Sequence, residues 1–364
     1  MMSTTSATAA GDKSATCGPD ALGVERIVEI DTRSGPLFGR ITRQQNEQRF
    51  LRPKEVVLTF DDGPMPWITR AILDTLDSHC AKATFFSVGR MAMAYPATLR
   101  DVVSRGHTLG SHTWSHPLNM RRLKSDKARD EFERGFAALS LASGGNLSPF
   151  FRFPGLSDSP KLLDSLQQRG VAAFSVDVVS DDSFISSPAK LARVTLDRIE
   201  AENGGIVLFH DIKPATAKAL PVILAELKER GFRVVHLRSK EMLKPLPEFA
   251  DELQPKLVKA DPPQGRSAMR AAMLPFFGAI GPERVAHAAA ATAQEQVAVE
   301  TLSPAARERL GAGRETSTEA PAVSRGAAKR RRSAERSEHA ARTSTGSGWS
   351  TEIRRQRFNR TLFD

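Results

Sequence analysis

The stretch VVLTFDDGP, residues 56–64, decides the fold and raises a question about charge. It runs from apolar and β-branched residues, which are typical of a buried strand, into a Gly-Pro turn. Two adjacent carboxylates, Asp61 and Asp62, lie where the strand ends. Neighbouring carboxylates repel each other, and half-buried ones are costly unless a positive group compensates. The pair therefore predicts either an ordinary solvated turn or a bound cation.

Strand-like and helix-like segments alternate from this stretch to about residue 238. Further strand signals lie at 82–89, 149–154, 171–178, 205–211 and 232–237. Helical periodicity lies between them at 68–79, 96–106, 130–142, 161–170, 191–200 and 218–230. Strands separated by helices of this length predict parallel pairing and an α/β fold. About six such units favour closure into a barrel over an open sheet.

Reactive side chains of α/β barrels collect at the carboxyl ends of the strands, where the loops converge. Asp61 and Asp62 lie at such an end, and Arg152, Asp177 and His210 lie near the carboxyl ends of other predicted strands. In SHTWSHP, His112 and His116 are four residues apart, a spacing that puts both imidazoles on one side of a helical turn and is typical of metal ligands. Two histidines and one aspartate form a three-ligand set with open positions, and a cation there relieves the repulsion between the two carboxylates.

Four motifs carry a resemblance to a known family. TFDDGP, SHTWSHP, FRFPG and VLFHD, in this order and spacing, resemble the motifs of the polysaccharide deacetylases. These are the family-four carbohydrate esterases, which include the chitooligosaccharide deacetylase of nodulation. KATFFSVG and GHTLGSHTWSHP fit the same family, and the likeness covers roughly residues 54–238. It implies an irregular (β/α) barrel, in agreement with the alternation of strands and helices.

The resemblance also implies a role for each matching residue. It implies a divalent metal, with zinc preferred, bound by Asp62, His112 and His116. It implies that Asp61 is the general base and His210 the general acid. Further implied roles are support of the aspartate cluster by Arg152 and lining of the acetyl pocket by Leu208.

Two departures from the family pattern concern the substrate groove and the acid. The family has a tyrosine after its RxP motif, whose backbone N–H completes an oxyanion hole; here Gly155 stands there, which keeps a backbone donor and removes the aromatic wall. The family motif DxxDW is poorly matched by SVDVVSDDSF at 175–184, and no tryptophan follows. Either Asp177 or Asp181 is expected to support His210, and Asp181 aligns only with a one-residue insertion.

The chain divides into an N-terminal extension at 1–50, a deacetylase catalytic domain at 51–245 and a basic tail at 246–364. Of the formal charge of +10, residues 255–364 contribute +8, with 19 Lys and Arg against 11 Asp and Glu. We predict that these residues are mostly disordered, with a short helix at 283–299. The KRRR run within 327–348 is typical of a solvated segment, and contact with an anionic polymer or a membrane surface is the alternative. The nearly neutral core predicts no nucleic-acid partner.

The compartment is left open by the sequence. No apolar run approaches the roughly 20 residues that cross a bilayer, and the first 18 residues lack the apolar core of a signal peptide. Acetylated wall polymers nevertheless lie outside the cytoplasm, which favours a periplasmic or secreted protein. Cys17 and Cys80 fit neither a redox pair nor a metal knuckle; they are two buried thiols or one disulfide, and a disulfide would support export.

The leading hypothesis is a metal-dependent hydrolase that removes N-acetyl groups from an acetylated glycan, which is the expected partner. Peptidoglycan, chitooligosaccharides and exopolysaccharides all stay open as substrates. The alternatives are an O-acetyl esterase of the xylan type, a non-catalytic carbohydrate-binding relative, and a protein whose functional part is the basic tail.

Overall fold

The computed structural model describes residues 17–18, 21–42, 44 and 50–257. The predictions for the basic tail beyond residue 257, including the helix at 283–299 and the KRRR run, lie outside these residues. None of the helices in the described part of the chain is long and apolar enough to cross a membrane.

The strands form one sheet in which each pairing between described residues is parallel. They are β1 Arg26–Ile30, β2 Leu37–Phe38, β3 Glu55–Asp61, β4 Thr84–Ser87, β5 Thr108–Ser111, β6 Phe150–Phe151, β7 Ala172–Phe174, β8 Val178–Val179, β9 Gly205–His210 and β10 Arg233–Ser239. All seven residues of β3 are buried, as expected for a parallel strand covered on both faces. The predicted α/β class is confirmed.

Seven strands form a ring that strand pairing leaves open between β7 and β8. From β3 the pairings run through β4, β5 and β6 to β7. β8 follows β7 along the chain and pairs with β9, which pairs back onto β3. The ring is irregular because β6 and β8 have two residues each, and because β10, with β1 beside it, joins only the first residues of β3. This is compatible with the predicted irregular (β/α) barrel.

Eight α-helices lie in the described part of the chain. They are α1 Pro66–Ser78, α2 Gly89–Ala94, α3 Pro96–Ser104, α4 Ser125–Ser143, α5 Pro160–Gln168, α6 Pro188–Ala201, α7 Pro214–Glu229 and α8 Pro247–Leu253. Six of them begin with proline, whose missing N–H would have no partner in the first turn of a helix in any case. The side chain of Ser187 caps α6 by accepting a hydrogen bond from the N–H of Lys190.

Aromatic residues fill the space on both sides of β3. The ring of Phe60 stacks against Phe85 of β4 and Phe209 of β9, with centroids 5.1 Å and 5.5 Å apart. On the other face of the strand, Val57 lies in a buried apolar cluster with Phe86 and Phe174. Because these groups are fully buried, the strand is held firmly and its last residues have a fixed position.

The sheet begins before the predicted domain start at residue 51. β1 pairs with β10 and β2 pairs with β7, so part of the predicted N-terminal extension belongs to the sheet. Of the two alternatives for the cysteines, the disulfide is present, between Cys17 and Cys80. At the other end, α8 follows the predicted boundary at 245 and packs on α4, where Arg134 pairs with Glu252.

Candidate active site

The two adjacent carboxylates lie at the carboxyl end of β3. Asp61 is the last residue of the strand and stands in register with His210 of β9. Asp62 has a left-handed backbone conformation, with φ of +80°, and its N–H donates to the carbonyl of Phe86. Both side chains are buried. The pair is therefore not part of a solvated turn, and its charge needs compensation within the protein.

Asp62, His112 and His116 bring three possible metal ligands within 4.8 Å of one another. Nε2 of His116 lies 3.1 Å, and Nε2 of His112 3.5 Å, from Oδ1 of Asp62. This oxygen is buried without a hydrogen-bond partner, which is costly unless another group binds it. Two imidazoles and a carboxylate are a donor set that suits zinc and similar cations, so the residues present fit a divalent metal ion.

The ring orientation of His112 is fixed by a hydrogen bond through Nδ1, the nitrogen that does not face Asp62. Its Nδ1 lies 2.8 Å from the backbone oxygen of Arg152, so Nδ1 carries the proton and donates it, and Nε2 keeps its lone pair toward Asp62. Burial, reinforced by His116, lowers the pKa of His112 to about 3. The imidazole is therefore neutral, which is the form that binds a metal.

The two histidines do not lie on a helical turn as predicted. They belong to the loop after β5, in which Thr113 and His116 both have positive φ, at 71° and 62°. The loop folds back on itself, and the N–H of His116 donates to the hydroxyl of Thr113. The two imidazole centroids are 5.0 Å apart, so the loop achieves the proximity that the spacing suggested by a different backbone path.

Asp61 is held by a fully buried arginine. Nη1 of Arg152 donates to Oδ1 of Asp61 at 2.8 Å, while Oδ2 faces the metal-ligand group, 3.8 Å from Nε2 of His112. Other N–H groups of the guanidinium donate to Thr59 Oγ1 and to the carbonyls of Phe174 and Ser175. Burial raises the pKa of Asp61 to about 6, although Arg152 opposes the rise. A carboxylate with this pKa suits proton transfer near neutral pH.

His210 is held by Asp182. Nδ1 of His210 lies 2.6 Å from Oδ1 of Asp182, and the backbone N–H of His210 donates to Oδ2 at 2.7 Å. Thr216 also donates to Oδ2. Nε2 of His210 faces Asp62, 3.9 Å from its Oδ2. Burial disfavours the charge of His210, but Asp182 and Asp62 outweigh it and raise the pKa of His210 to about 9.

The prediction that Asp177 or Asp181 supports His210 is wrong. Asp181 sits in a tight turn, with φ of +63°, and its carboxylate pairs with Arg198. Asp177 pairs with Arg40 at the opposite end of β9. The adjacent Asp182 is buried and contacts the imidazole, because the turn at the preceding residue points the next side chain inward. In the run SDDSF, alignment to the family motif selected the wrong one of two neighbouring aspartates.

The two residues predicted to bind substrate lie on separate elements. Gly155 is exposed in a short 3₁₀ turn, Pro154–Leu156, with φ of +59°, where a Cβ would lie 3.5 Å from Cδ2 of Leu118. Leu208 is buried in β9, two residues before His210, among the apolar side chains of the barrel interior.

The fold and the site define a class: an irregular α/β barrel with three possible metal ligands at the carboxyl ends of its strands, flanked by a carboxylate and an imidazole suited to proton transfer. Sequence comparison agrees, because a model of the polysaccharide deacetylase family matches residues 49–174. The chain is 30% identical over 207 residues to a chitooligosaccharide deacetylase of Azorhizobium caulinodans, covering 53% of this chain and 93% of that protein. The chain belongs to the polysaccharide deacetylase family.

Two further relatives are peptidoglycan deacetylases. The chain is 31% identical over 193 residues to the peptidoglycan-N-acetylmuramic acid deacetylase PdaC of Bacillus subtilis; the match covers 52% of this chain but only 39% of the length of that relative. Among solved structures, a peptidoglycan deacetylase of Bdellovibrio bacteriovorus is 32% identical and superimposes with a TM-score of 0.56, covering 66% of this chain and 65% of that chain.

Proposed function

We propose that this protein is a metal-dependent deacetylase that removes N-acetyl groups from an aminosugar polymer or oligomer. The observation that carries the proposal is the group of Asp62, His112 and His116, whose ligand atoms lie within 4.8 Å of one another between two proton-transfer residues. Asp61 lies on one side of this group and His210 on another. Hydrolysis of an amide needs an activated water, stabilisation of the oxyanion and a proton for the departing amine, and this arrangement has a residue for each proton transfer.

When bound by Asp62, His112 and His116, a zinc ion supplies a Lewis acid that lowers the pKa of water toward neutrality and polarises a carbonyl group. The role of Asp61 is to accept the proton of the attacking water through Oδ2, the oxygen that faces the metal-ligand group. Its other oxygen stays bound to Arg152, so the carboxylate keeps one orientation while it gains the proton. The pKa of Asp61, about 6, leaves it mostly ionised at neutral pH and therefore able to act as a base.

His210 donates the proton that the amine needs on departure. Asp182 holds Nδ1 of the ring, which leaves Nε2 facing the site. Because the pKa of His210 is about 9, the imidazole is protonated at neutral pH and is ready to act as an acid. Asp61 and His210 thus begin the reaction in complementary protonation states, one without and one with its proton.

The proposed substrate groove combines Gly155, which departs from the family pattern, with Leu208, which matches it. Gly155 offers a backbone N–H for the oxyanion, where one such donor is worth roughly 3 kcal/mol, and Leu208 closes the acetyl pocket. Two exposed apolar side chains follow site residues by two positions: Leu118 after His116, and Phe184 after Asp182. Leu118 lies beside Gly155, where its Cδ2 is 3.5 Å from the position of a Cβ, and we propose that Leu118 and Phe184 contact the sugar ring. Phe184→Ala should raise KM for a glycan with little change in kcat.

Peptidoglycan and chitooligosaccharides are the substrate classes favoured by the relatives, and exopolysaccharides remain a third class. The test is acetate release from a panel of these acetylated glycans and from acetylated xylan, each with and without a chelator. Release from an aminosugar glycan that stops with chelator and returns with zinc supports the proposal. Release from xylan alone identifies an O-acetyl esterase. Metal binding with no acetate released from any glycan identifies a non-catalytic carbohydrate-binding relative.

A periplasmic or secreted location follows from the substrate class and from the disulfide between Cys17 and Cys80, since disulfides persist in oxidising compartments. Cell fractionation with alkylation of free thiols tests it: protein that is found in the cytoplasm with both thiols alkylated would contradict it. A contact of the basic tail with an anionic polymer is tested by truncation after residue 257. If the truncated and the full chain are retained equally on such a polymer, the tail has no such role.

A further inference from the structure

Asp211, which follows His210, is a buried carboxylate with no role in the proposed chemistry. Its side chain is 1% exposed. Its backbone N–H donates to the carbonyl of Asp61, the last residue of β3, at 3.1 Å, which extends the pairing of the two strands one residue past the end of β9. Burying a carboxylate is costly unless its oxygens accept hydrogen bonds, so its partners indicate what it holds in place.

The carboxylate of Asp211 joins β9 to both ends of the segment 63–69. Oδ1 accepts a hydrogen bond from the N–H of Gly63 at 2.9 Å, and Oδ2 accepts one from the hydroxyl of Thr69 at 2.7 Å. The Thr69 hydroxyl in turn accepts from the N–H of Met65, also at 2.7 Å. One buried side chain therefore fixes the turn after Asp62 and the first turn of α1.

The contact between Asp211 and Gly63 leaves little freedom to either segment. A Cβ on Gly63 would overlap the carboxylate, so the turn already approaches β9 as closely as a backbone can. Asp62 directly precedes Gly63, and His210 directly precedes Asp211. The contact consequently sets the separation of the metal-ligand carboxylate and the acid, whose nearest atoms are 3.9 Å apart.

We propose that Asp211 is a positioning residue, which holds the turn carrying Asp61 and Asp62 in register with the strand carrying His210. Its effect on turnover rests on the proposed deacetylase function, whereas its effect on metal binding rests only on the three ligand residues. Outer hydrogen-bond partners of metal ligands typically change metal affinity or activity by about 10–100-fold when they are removed.

Two variants test whether the hydrogen bonds of Asp211 position the site: Asp211→Asn keeps the shape of the side chain, and Asp211→Ala removes its polar atoms. In Asp211→Asn, the amide oxygen accepts from Gly63 and the amide nitrogen donates to the Thr69 hydroxyl, whose own hydrogen can turn to the backbone oxygen of residue 211, 3.3 Å away. In Asp211→Ala, the N–H of Gly63 loses its acceptor, and the Thr69 hydroxyl keeps only the backbone oxygen of residue 211 as an acceptor. We expect the zinc dissociation constant, measured by competition with a chromogenic chelator, to stay within about 3-fold in the Asn variant and to rise by about 10–100-fold in the Ala variant. The kcat for acetate release should fall by a similar factor in the Ala variant, with KM nearly unchanged.

Glu55→Ala is the matched control for a purely structural effect. Glu55 is a buried carboxylate at the opposite end of β3, paired with Arg26. Its removal should lower the melting temperature and leave zinc affinity and kcat unchanged, both measured well below the melting transition. If Asp211→Ala changes the melting temperature alone, as Glu55→Ala does, the proposal is overturned.

Two milder variants keep the test decisive if Asp211→Ala does not fold. Thr69→Val removes the hydroxyl that links Asp211 to Met65, and Thr69→Ser restores it. We expect weaker zinc binding in the Val variant, by about 3–10-fold, and near-native binding in the Ser variant; equal zinc affinity in the two would overturn the proposal. If the wild-type protein releases no acetate from any glycan, the proposed function fails, and the zinc measurements still decide the role of Asp211.

Discussion

The two ends of β3 each bury a carboxylate, and they compensate its charge in different ways. At the amino end, Glu55 accepts hydrogen bonds from Nε and Nη2 of Arg26, at 2.8 Å and 2.6 Å, and another from the N–H of Arg52. At the carboxyl end, Asp62 Oδ1 has no hydrogen-bond partner and faces the imidazoles of His112 and His116. Burial lowers the pKa of His112 to about 3, whereas Asp62 outweighs burial at His116 and raises the pKa of that imidazole. For these two carboxylates the difference indicates a structural role for Glu55, whose oxygens are hydrogen-bonded, and a binding role for Asp62, which has an oxygen without a hydrogen-bond partner.

A cavity at the amino ends of the strands supports the same distinction. It has a volume of about 190 Å³ and is lined in part by Phe38, Phe50 and Arg40. The charge of Arg40 is compensated by Asp177 and Glu202, both of which pair with it. The charge that lines this cavity is therefore compensated within the protein, whereas Asp62 Oδ1 at the other end of β3 has no hydrogen-bond partner.

The largest expected effect comes from removing the carboxylate that lacks a partner. Asp62→Ala should lose metal binding and, with it, nearly all acetate release. The loss of zinc affinity should exceed the roughly 10–100-fold that removal of an outer hydrogen-bond partner causes. The measurement is zinc stoichiometry by elemental analysis after dialysis. A variant that retains one zinc per chain would contradict the proposal that Asp62 is a metal ligand.

The second-largest effect on activity is expected from replacing His210, the proposed general acid. His210→Ala should keep its zinc and lose turnover by about 10²–10⁴-fold, the usual contribution of a general acid or base. Steady-state acetate release and zinc content are measured on the same sample. Undiminished turnover would exclude His210 as the acid.

The pH profile of the wild-type protein should be bell-shaped, because Asp61 must be ionised and His210 protonated. With pKa values of about 6 and about 9, kcat/KM should fall below the first and above the second.

Asp182→Asn removes the charge that raises the pKa of His210, so the alkaline limb should move to lower pH and kcat should drop by about 10–100-fold. Asp181→Asn is the matched control, since that carboxylate pairs with Arg198, and it should leave the alkaline limb in place. An equal shift in both variants would contradict the assignment of Asp182.

The smallest effect on activity is expected at the amino end. Glu55→Ala leaves its partners without an acceptor and should reduce the free energy of unfolding by about 1–3 kcal/mol. Because the residue is far along the strand from the site, kcat should be unchanged. Chemical denaturation and acetate release are measured side by side, and a large loss of kcat at full occupancy of the folded state would show that the two ends are coupled.

Much of the site at the carboxyl end of β3 could be predicted from the sequence, because the buried strand and the two carboxylates at its end are neighbours in the chain. The alternation of strands and helices predicted the parallel barrel, and motif resemblance selected the three ligand residues that the structure brings together. The elements that were missed are short or depend on distant partners: α2 has six residues, and the two-residue strand β2 gains its place only by pairing with β7, far along the chain. Local patterns carry no information about such pairings.

Two predictions about the site were wrong because of local backbone conformations that the sequence does not reveal. Spacing alone suggested a helical turn for His112 and His116, but two residues with positive φ turn that loop back instead. A positive φ at Asp181 likewise turns this carboxylate toward Arg198 and leaves Asp182 facing His210. Non-glycine residues rarely adopt this conformation, and it is imposed by surrounding contacts that a single sequence does not display.

Arg152 contributes to the site through its guanidinium and through its backbone oxygen, and a substitution changes only the first of these. Its guanidinium binds Asp61, while its backbone oxygen accepts the hydrogen bond that sets the tautomer of His112. Arg152→Met deletes the first contact and retains the second. A mutational scan of this position therefore measures only the side-chain contacts, to Asp61, to Thr59 and to the carbonyls of Phe174 and Ser175. The contribution of the same residue to His112 depends on the path of the backbone and not on the identity of the side chain.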